Sequence, residues 1–309
     1  MTAVAQNHPV NSKRISLVSI SVLTVLFVAA YFALRALPDA QCGFLHYEEI
    51  VNADGSVEFC ATNHAGFLDL TRLKYPVEMG VFLADEPKPG VAQEVTLELL
   101  TSGGTPIAPH QLAMTHTKKM HVMVVDPSLR DYHHVHPQAD GLNGQYTFEF
   151  TPELAGTYQV FTEIVPLRTR RQIIGTGVIE VAGIASAMEF DRNTQSVVDG
   201  IRFDIGEVPE RLRTGTDYRF DLTVTTEGGD AVDLQDIMGA KGHMVAFDAA
   251  RKGFAHMHPI DSVVSARSLE VEQGLAFLFN VPNPGWYRVF AQIQVEGREV
   301  FGHFDLEVE

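Results

Sequence analysis

Beyond residue 75, apolar and polar positions alternate with a period of two. Val95, Leu97 and Leu99 are separated by Thr96 and Glu98. Tyr146, Phe148 and Phe150 are set apart in the same way, as are Tyr218, Phe220, Leu222 and Val224, and Phe277, Phe279 and Val281. Neighbouring side chains of a strand point to opposite faces, so this pattern predicts antiparallel strands with one buried face. Gly and Pro clusters break the runs at short intervals, as turns would. No stretch after residue 40 carries a 3.6-residue stripe of helical length. Earlier, residues 15–34 hold no charge; Lys13 and Arg14 precede them and Arg35 follows. Twenty residues at about 1.5 Å rise would span roughly 30 Å, the hydrocarbon core of a bilayer.

That run is longer than the apolar region of a secretory signal, and no small-x-small cleavage site follows it. It predicts an uncleaved transmembrane anchor, making residues 1–38 an N-terminal tail and anchor, with a cleaved signal or a buried core helix as the alternatives. The excess of basic residues on its N-terminal side places the N-terminus in the cytoplasm. The chain then reads as a single-pass protein of the inner (cytoplasmic) membrane, with its C-terminal domains in the periplasm or extracellular space. Cys42 and Cys60 are the two cysteines. A disulfide between them fits an oxidising compartment. Free thiols, or a metal site from Cys42, His46, Cys60 and His64, remain as alternatives.

The strands recur in a fixed order. Met120-His121-Val122-Met123-Val124-Val125-Asp126 matches Gly242-His243-Met244-Val245-Ala246-Phe247-Asp248. Tyr132-His133-His134-Val135-His136-Pro137 matches Phe254-Ala255-His256-Met257-His258-Pro259, at the same offset of 122 residues. Ala155-Gly156-Thr157-Tyr158-Gln159-Val160-Phe161 matches Pro284-Gly285-Trp286-Tyr287-Arg288-Val289-Phe290, now at an offset of 129. A seven-residue insertion near 262–273 accounts for the change. The expected class is all-β: two tandem immunoglobulin-like (cupredoxin-like) β-sandwich domains at 79–184 and 195–309. Residues 39–78 form a Cys-containing linker or small subdomain.

Composition narrows the function. The chain has 309 residues and a formal net charge of −16, with a pI near 5.2. This excludes a phosphate-backbone binder, so no nucleic acid partner is expected. No HExxH, G-x-S-x-G, paired catalytic carboxylates or Gly-rich phosphate loop is present, so no enzymatic role is expected. Residues 114–136 and 238–258 hold eight of the thirteen histidines and six of the nine methionines, a concentration that folding alone does not require. Residues i and i+2 of a strand share a face, so His134 and His136 point together, as do His256 and His258. His121 and His243 lie thirteen residues before His134 and His256, the first histidines of the two pairs, on the expected facing strands. Each copy thus offers three imidazoles, a set suited to copper or zinc. Glu163 follows the matched strand as a fourth ligand or an acceptor for an imidazole N–H. Gln292 stands at its aligned position. His116 aligns with Met238, offering nitrogen to one site and sulfur to the other. The methionines favour Cu(I), since thioethers are soft; the plainer reading is that they fill core gaps. His133 is expected to face solvent, and His303 is a weaker candidate ligand.

The pattern His-x-x-(Val/Ala)-x-Asp, then (Tyr/Phe)-x-His-x-His-Pro, then Gly-x-Tyr-x-Val-Phe resembles bacterial extracytoplasmic proteins with YtkA-like, immunoglobulin-type β-sandwich domains. Such proteins often occur beside copper-handling genes and are thought to bind metal. The resemblance implies a histidine set at His121, His134 and His136, and again at His243, His256 and His258. It also implies an acidic residue after the Tyr-x-Val-Phe strand; Glu163 keeps it and Gln292 departs from it. The expected function is a membrane-anchored periplasmic metal-binding protein for storage, delivery or resistance. Its cofactor is copper, as Cu(I) or Cu(II), with zinc possible, and it has one His-rich site per sandwich. The alternative is a non-catalytic structural or adaptor module of a membrane complex, with structural histidines and a membrane-protein partner.

Overall fold

The computed structural model of the chain describes residues 12–35, 47–51, 57–61, 66–139, 141–260 and 275–309. Helix α1 is Ser12–Arg35. Its described side chains, residues 19–33, are fifteen in number. Among the described residues no helix is long and apolar enough to cross a membrane. This corrects the expected anchor, and with it the placement as a single-pass inner-membrane protein with periplasmic domains. Cys42, His46, His64 and the insertion near 262–273 fall outside the described residues, so neither the expected Cys42–Cys60 disulfide nor its alternative metal site is described.

The rest is built of strands. β1 (Tyr47–Val51) and β2 (Val57–Ala61) pair as a hairpin. β3 is Leu68–Asp69. The first sandwich sets a sheet of β4 (Val77–Leu83), β5 (Gln93–Thr101), β8 (Gln138–Ala139) and β9 (Gln145–Phe150) against a sheet of β6 (Met120–Val125), β7 (Tyr132–Val135), β10 (Gly156–Ile164) and β11 (Ile173–Val181). The second sets β12 (Gln195–Val198), β13 (Ile201–Asp204), β14 (Tyr218–Thr226) and β17 (Leu275–Phe279) against β15 (His243–Asp248), β16 (Gly253–Met257), β18 (Gly285–Val295) and β19 (Arg298–Val308). Each sandwich closes over its own apolar core. Val95, Leu97, Val122, Val124, Tyr158 and Val160 fill the first. Phe203, Phe220, Met244, Ala246, Phe277 and Phe304 fill the second.

The two sheets that carry the histidines also pack against each other, and so are buried on both faces. Along β6, Met120, Val122 and Val124 enter the first core, while Met123 and Val125 join a third, interfacial cluster. Along β15, Met244 and Ala246 face the second core, while Val245 and Phe247 face the interface. Strands buried on both faces lose the wet face that alternation reads. The contacts are reciprocal. Tyr132 stacks on Phe290 with ring centroids 4.7 Å apart, and their aligned partners Phe254 and Phe161 meet at 5.2 Å. This is the self-complementary pattern of a two-fold interface, here inside one chain.

One strand breaks the symmetry. β3 lies before the first sandwich in sequence but pairs with β16 of the second. Phe67 beside it enters the second core, edge-on to Tyr287 at 5.4 Å. The approach requires Gly253, where a Cβ would collide with the Leu68 carbonyl oxygen.

Candidate metal centre

The same docking brings the histidines of both copies together. His121 lies on β6, His134 on β7, His243 on β15 and His256 on β16; all four are buried. His256 sits at the middle. Its ring centroid is 5.2 Å from His134, 5.4 Å from His121, 5.8 Å from His243, 4.5 Å from His258 and 6.3 Å from His116. The two sets expected one per sandwich therefore form a single cluster between sandwiches. The histidine faces of β6, β7, β15 and β16 point outward from their own cores and toward the other copy.

Two groups of three offer ring nitrogens within 4.8 Å of one another: His121, His134 and His256, and His116, His243 and His258. Each takes two residues from one copy and one from the other. In the first group, hydrogen bonds around the rim fix the tautomers. His121 Nε2 donates to the Thr115 carbonyl oxygen at 2.8 Å, because a carbonyl can only accept. His134 Nδ1 donates to Gln292 Oε1 at 2.8 Å. The Gln292 amide is itself oriented, since its Nε2 donates to Glu299 Oε2 at 2.8 Å. His256 Nδ1 donates to Glu163 Oε2 at 3.1 Å. The remaining nitrogens, His121 Nδ1, His134 Nε2 and His256 Nε2, then carry lone pairs. The first two face each other at 3.2 Å, with no proton left to place between neutral rings. That spacing is close to the edge of a tetrahedron with bonds of about 2.0–2.1 Å, roughly 3.3 Å. His256 Nε2 is buried with no hydrogen-bond partner.

The acceptors cross between copies. Glu163 on β10 holds His256 of the second copy, and its aligned Gln292 on β18 holds His134 of the first. Burial alone would raise the Glu163 carboxyl; the hydrogen bonds from His256 and Gln172 bring it below its ordinary value. Burial first, then the neighbouring imidazoles, holds His121, His134, His243 and His258 well below their ordinary 6.5. His116 and His136 are lowered to about 4, again chiefly by burial. All of these rings are neutral at pH 7, the state in which imidazole ligates metal.

The other candidates are placed as follows. His136 lies 5.0 Å from His121 and 4.9 Å from His134, ring to ring, and its Nε2 has no hydrogen-bond partner. His116 stacks on His258 at 3.6 Å and 14°. Met238 is buried on a turn equivalent to that of His116. Met120, Met244 and Met257 pack in the sandwich cores and Met123 in the apolar interface, so these thioethers fill space. His133, expected to face solvent, is half-buried, with its Nε2 2.8 Å from Asp131 Oδ1. His303 lines a separate crevice with Arg288 and Asp305. Sequence reasoning did not find the Thr115 carbonyl or Glu299, because neither belongs to a ligand motif.

No curated protein matches this chain in sequence. Among solved structures, a PKD domain of an M14-like peptidase from a Thermoplasmatales archaeon covers 36% of this chain and 100% of its own, at 12% identity and a TM-score of 0.23. The CARDB domain of a Pyrococcus furiosus protein, solved with di-metal ions, covers 37% of this chain and 96% of its own, at 18% identity and 0.20. Fibronectin(III)-like modules of Clostridium thermocellum CbhA cover 74% of this chain and 94% of their own, at 9% identity and 0.21. Scores this low carry no argument about function, and none of these comparisons points to YtkA-like proteins. A family model matches residues 76–176 and 196–309, one segment over each sandwich. The chain belongs to that family, described as "Domain of unknown function (DUF8832)".

Proposed function

We propose that this protein binds a transition-metal ion between its two sandwiches, through His121, His134 and His256. The supporting observation is the pair of lone pairs on His121 Nδ1 and His134 Nε2, facing each other at 3.2 Å, with His256 Nε2 completing the set. Among buried neutral groups such an arrangement is unfavourable without a cation. The rim hydrogen bonds to Glu163, Gln292 and the Thr115 carbonyl are of the kind that orient metal-ligating imidazoles. Three nitrogens suit copper and zinc alike; the general order of divalent affinities puts copper above zinc for one site. Copper is therefore the proposed ion, and storage or delivery the proposed use. The likeness of the His-x-His-Pro elements to YtkA-like proteins agrees with this reading. In the second reading the histidines are purely structural, favoured by the hydrogen bonds that already satisfy one nitrogen each of His121, His134 and His256.

Titration of the full chain with Cu(I), Cu(II) and Zn(II), followed by stoichiometry and melting temperature, separates the two. A His134→Ala/His256→Ala variant serves as reference. Metal at a hundred times its dissociation constant raises stability by about 2.7 kcal/mol, and the variant should lose both the binding and the shift. Absence of histidine-dependent binding by any of the three ions would leave the structural reading standing.

A further inference from the structure

We infer a second metal position, formed by His116, His243 and His258, that joins the first in a dinuclear centre for two Cu(I) ions. This rests on the metal-binding reading above and extends it. The carrying observation is His243. It is completely buried, and neither of its ring nitrogens has a hydrogen-bond partner. Its aligned residue His121 has a partner for Nε2, the Thr115 carbonyl. A buried polar group without a partner is costly, and native structures rarely tolerate one without a use. His258 Nδ1 is buried and equally without a partner. These two residues, with His116, bring one nitrogen each within 4.8 Å of the others.

Strict two-fold symmetry would complete the second set with His256 and His134. Glu163 and Gln292 prevent this, since they fix both rings toward the first set. His116 takes their place, reaching across from the first copy. It stands on a tight turn with φ of +49°, followed by Thr117 at +65°. A β-branched residue in that region is strained, and strain of this kind gathers at functional sites. His116 now lies flat on His258. Two parallel rings cannot both direct in-plane lone pairs at one ion, so loading opens the stack, with the turn as the moving part. The second ion accordingly binds more weakly than the first.

Charge selects the ions. Among the described residues, Glu163 is the buried carboxylate that contacts the cluster, and Glu299 reaches it through Gln292 from an exposed position. Two divalent ions would bury four positive charges against this; two Cu(I) ions bury two. Uncompensated buried charge is strongly unfavourable, so the pair is monovalent.

The test is an anaerobic titration of the full chain with Cu(I) held by a chromophoric chelator, and a parallel titration with Zn(II). The expected result is two Cu(I) per chain, the second bound more weakly, and one Zn(II). The His116→Gly variant, whose backbone suits a positive φ, should bind one Cu(I) with an unchanged metal-free melting temperature. One Cu(I) per chain in the parent overturns this inference and leaves the first site intact. Two Cu(I) in both His116→Gly and His258→Ala also overturns it, and two tightly bound Zn(II) overturns the choice of monovalent ions. No metal bound at all removes both readings.

Discussion

The two copies of the repeat share a strand order, yet the interface uses them differently. In the first copy, Gln159 is half-buried and donates to the Gly177 carbonyl across its own sheet. Its aligned residue in the second copy is Arg288, buried and paired through two 2.6 Å contacts with Asp305. That guanidinium also donates to the Leu129 carbonyl of the first copy at 3.1 Å and to the Glu189 carbonyl of the linker at 2.9 Å. Edge strand β16 is covered by β3, while β7, its counterpart, is the last strand of its sheet. Glu163 is charged where Gln292 is neutral, and His121 has a partner where His243 has none. One copy thus holds the interface and the other holds the better-supported half of the site. Neither sandwich contains a complete triad of its own, so the metal centre depends on the docked pair.

The largest expected effect comes from the staple. Arg288→Ala leaves Asp305 buried without its cation and frees two carbonyls. Breaking a buried pair from one side costs about 3–5 kcal/mol, and a chain of this size loses roughly 2–4 °C of melting temperature per kcal/mol. Thermal unfolding should therefore move down by roughly 10 °C. Gln159→Ala, the matched change in the first copy, should move it far less. Equal shifts would mean that Arg288 has no special part in joining the copies.

Next comes the crossing pair of acceptors. Glu163→Gln keeps the shape of the contact to His256 and removes its charge. Changes to such orienting partners typically cost 10- to 100-fold in metal affinity, and that loss is expected here, measured by competition with a chelator. Gln292→Leu removes a neutral acceptor from His134 and should cost less, about tenfold by the lower bound of the same range. If Gln292→Leu proved the more damaging, the charged anchor on His256 would not be what orders the site.

Protonation acts on both copies at once. In the metal-free native state His116 and His136 bind protons only near pH 4, and four other rings lie well below 6.5. In the unfolded chain all of them bind protons near 6.5. Between those values the unfolded state holds more protons, so stability falls as pH drops. It should be level above about pH 6.5, decline as pH drops toward 4, and go on falling below that as the more strongly depressed rings protonate. Glu163, held below its ordinary value, adds to the loss at the acid end; burial, and after it the charge of Lys118, lowers His136. Urea midpoints at pH 7.5 and pH 5 test this. His243→Leu, which removes a ring that resists protonation, should flatten the slope.

How much of this could be read along the chain depends on the layer. The outer sheets have one wet face, so Val95, Leu97 and Leu99 on β5 and Phe220 and Leu222 on β14 alternate legibly. β6 and β15 are buried on both sides, and there the alternation shows only as histidines set among apolar residues. The spacing of His134 with His136, and of His256 with His258, correctly puts each pair on one face. It could not say that His256 would meet His121 in place of His243. That choice is made by the docking of Phe161, Phe247, Phe254 and Phe290 across the interface, which no local period encodes. β3 escaped notice because two residues carry no periodicity, and its partner lies almost two hundred positions away. The methionines misled for a related reason: their spacing resembles that of ligands, but alternate positions on β6, β15 and β16 face the cores.

The smallest effect separates the two turns. In the first copy, Thr115 and Lys118 exchange backbone hydrogen bonds of 2.7 and 3.0 Å around His116 and Thr117. In the second, Ile237 and Ala240 exchange bonds of 2.8 and 3.1 Å around Met238 and Gly239. All four central residues have positive φ, as a two-residue hairpin loop of the I′ kind requires. Glycine is relaxed at the second central position; threonine is not. Thr117→Gly should release about 1–3 kcal/mol of backbone strain. The greater freedom of glycine in the unfolded chain takes back roughly 0.5–1 kcal/mol. A net gain of about 1 kcal/mol, read as a rise of a few degrees in the melting temperature of the metal-free protein, is expected. The first metal equivalent should be untouched, because Thr117 contributes no atom to that set. The second should not weaken, since a relaxed turn lets the stack of His116 on His258 open more easily when the ion arrives. A melting temperature that falls would mean that the contacts of the Thr117 side chain outweigh the strain in its backbone, and that the first copy's turn is stabilised as it stands.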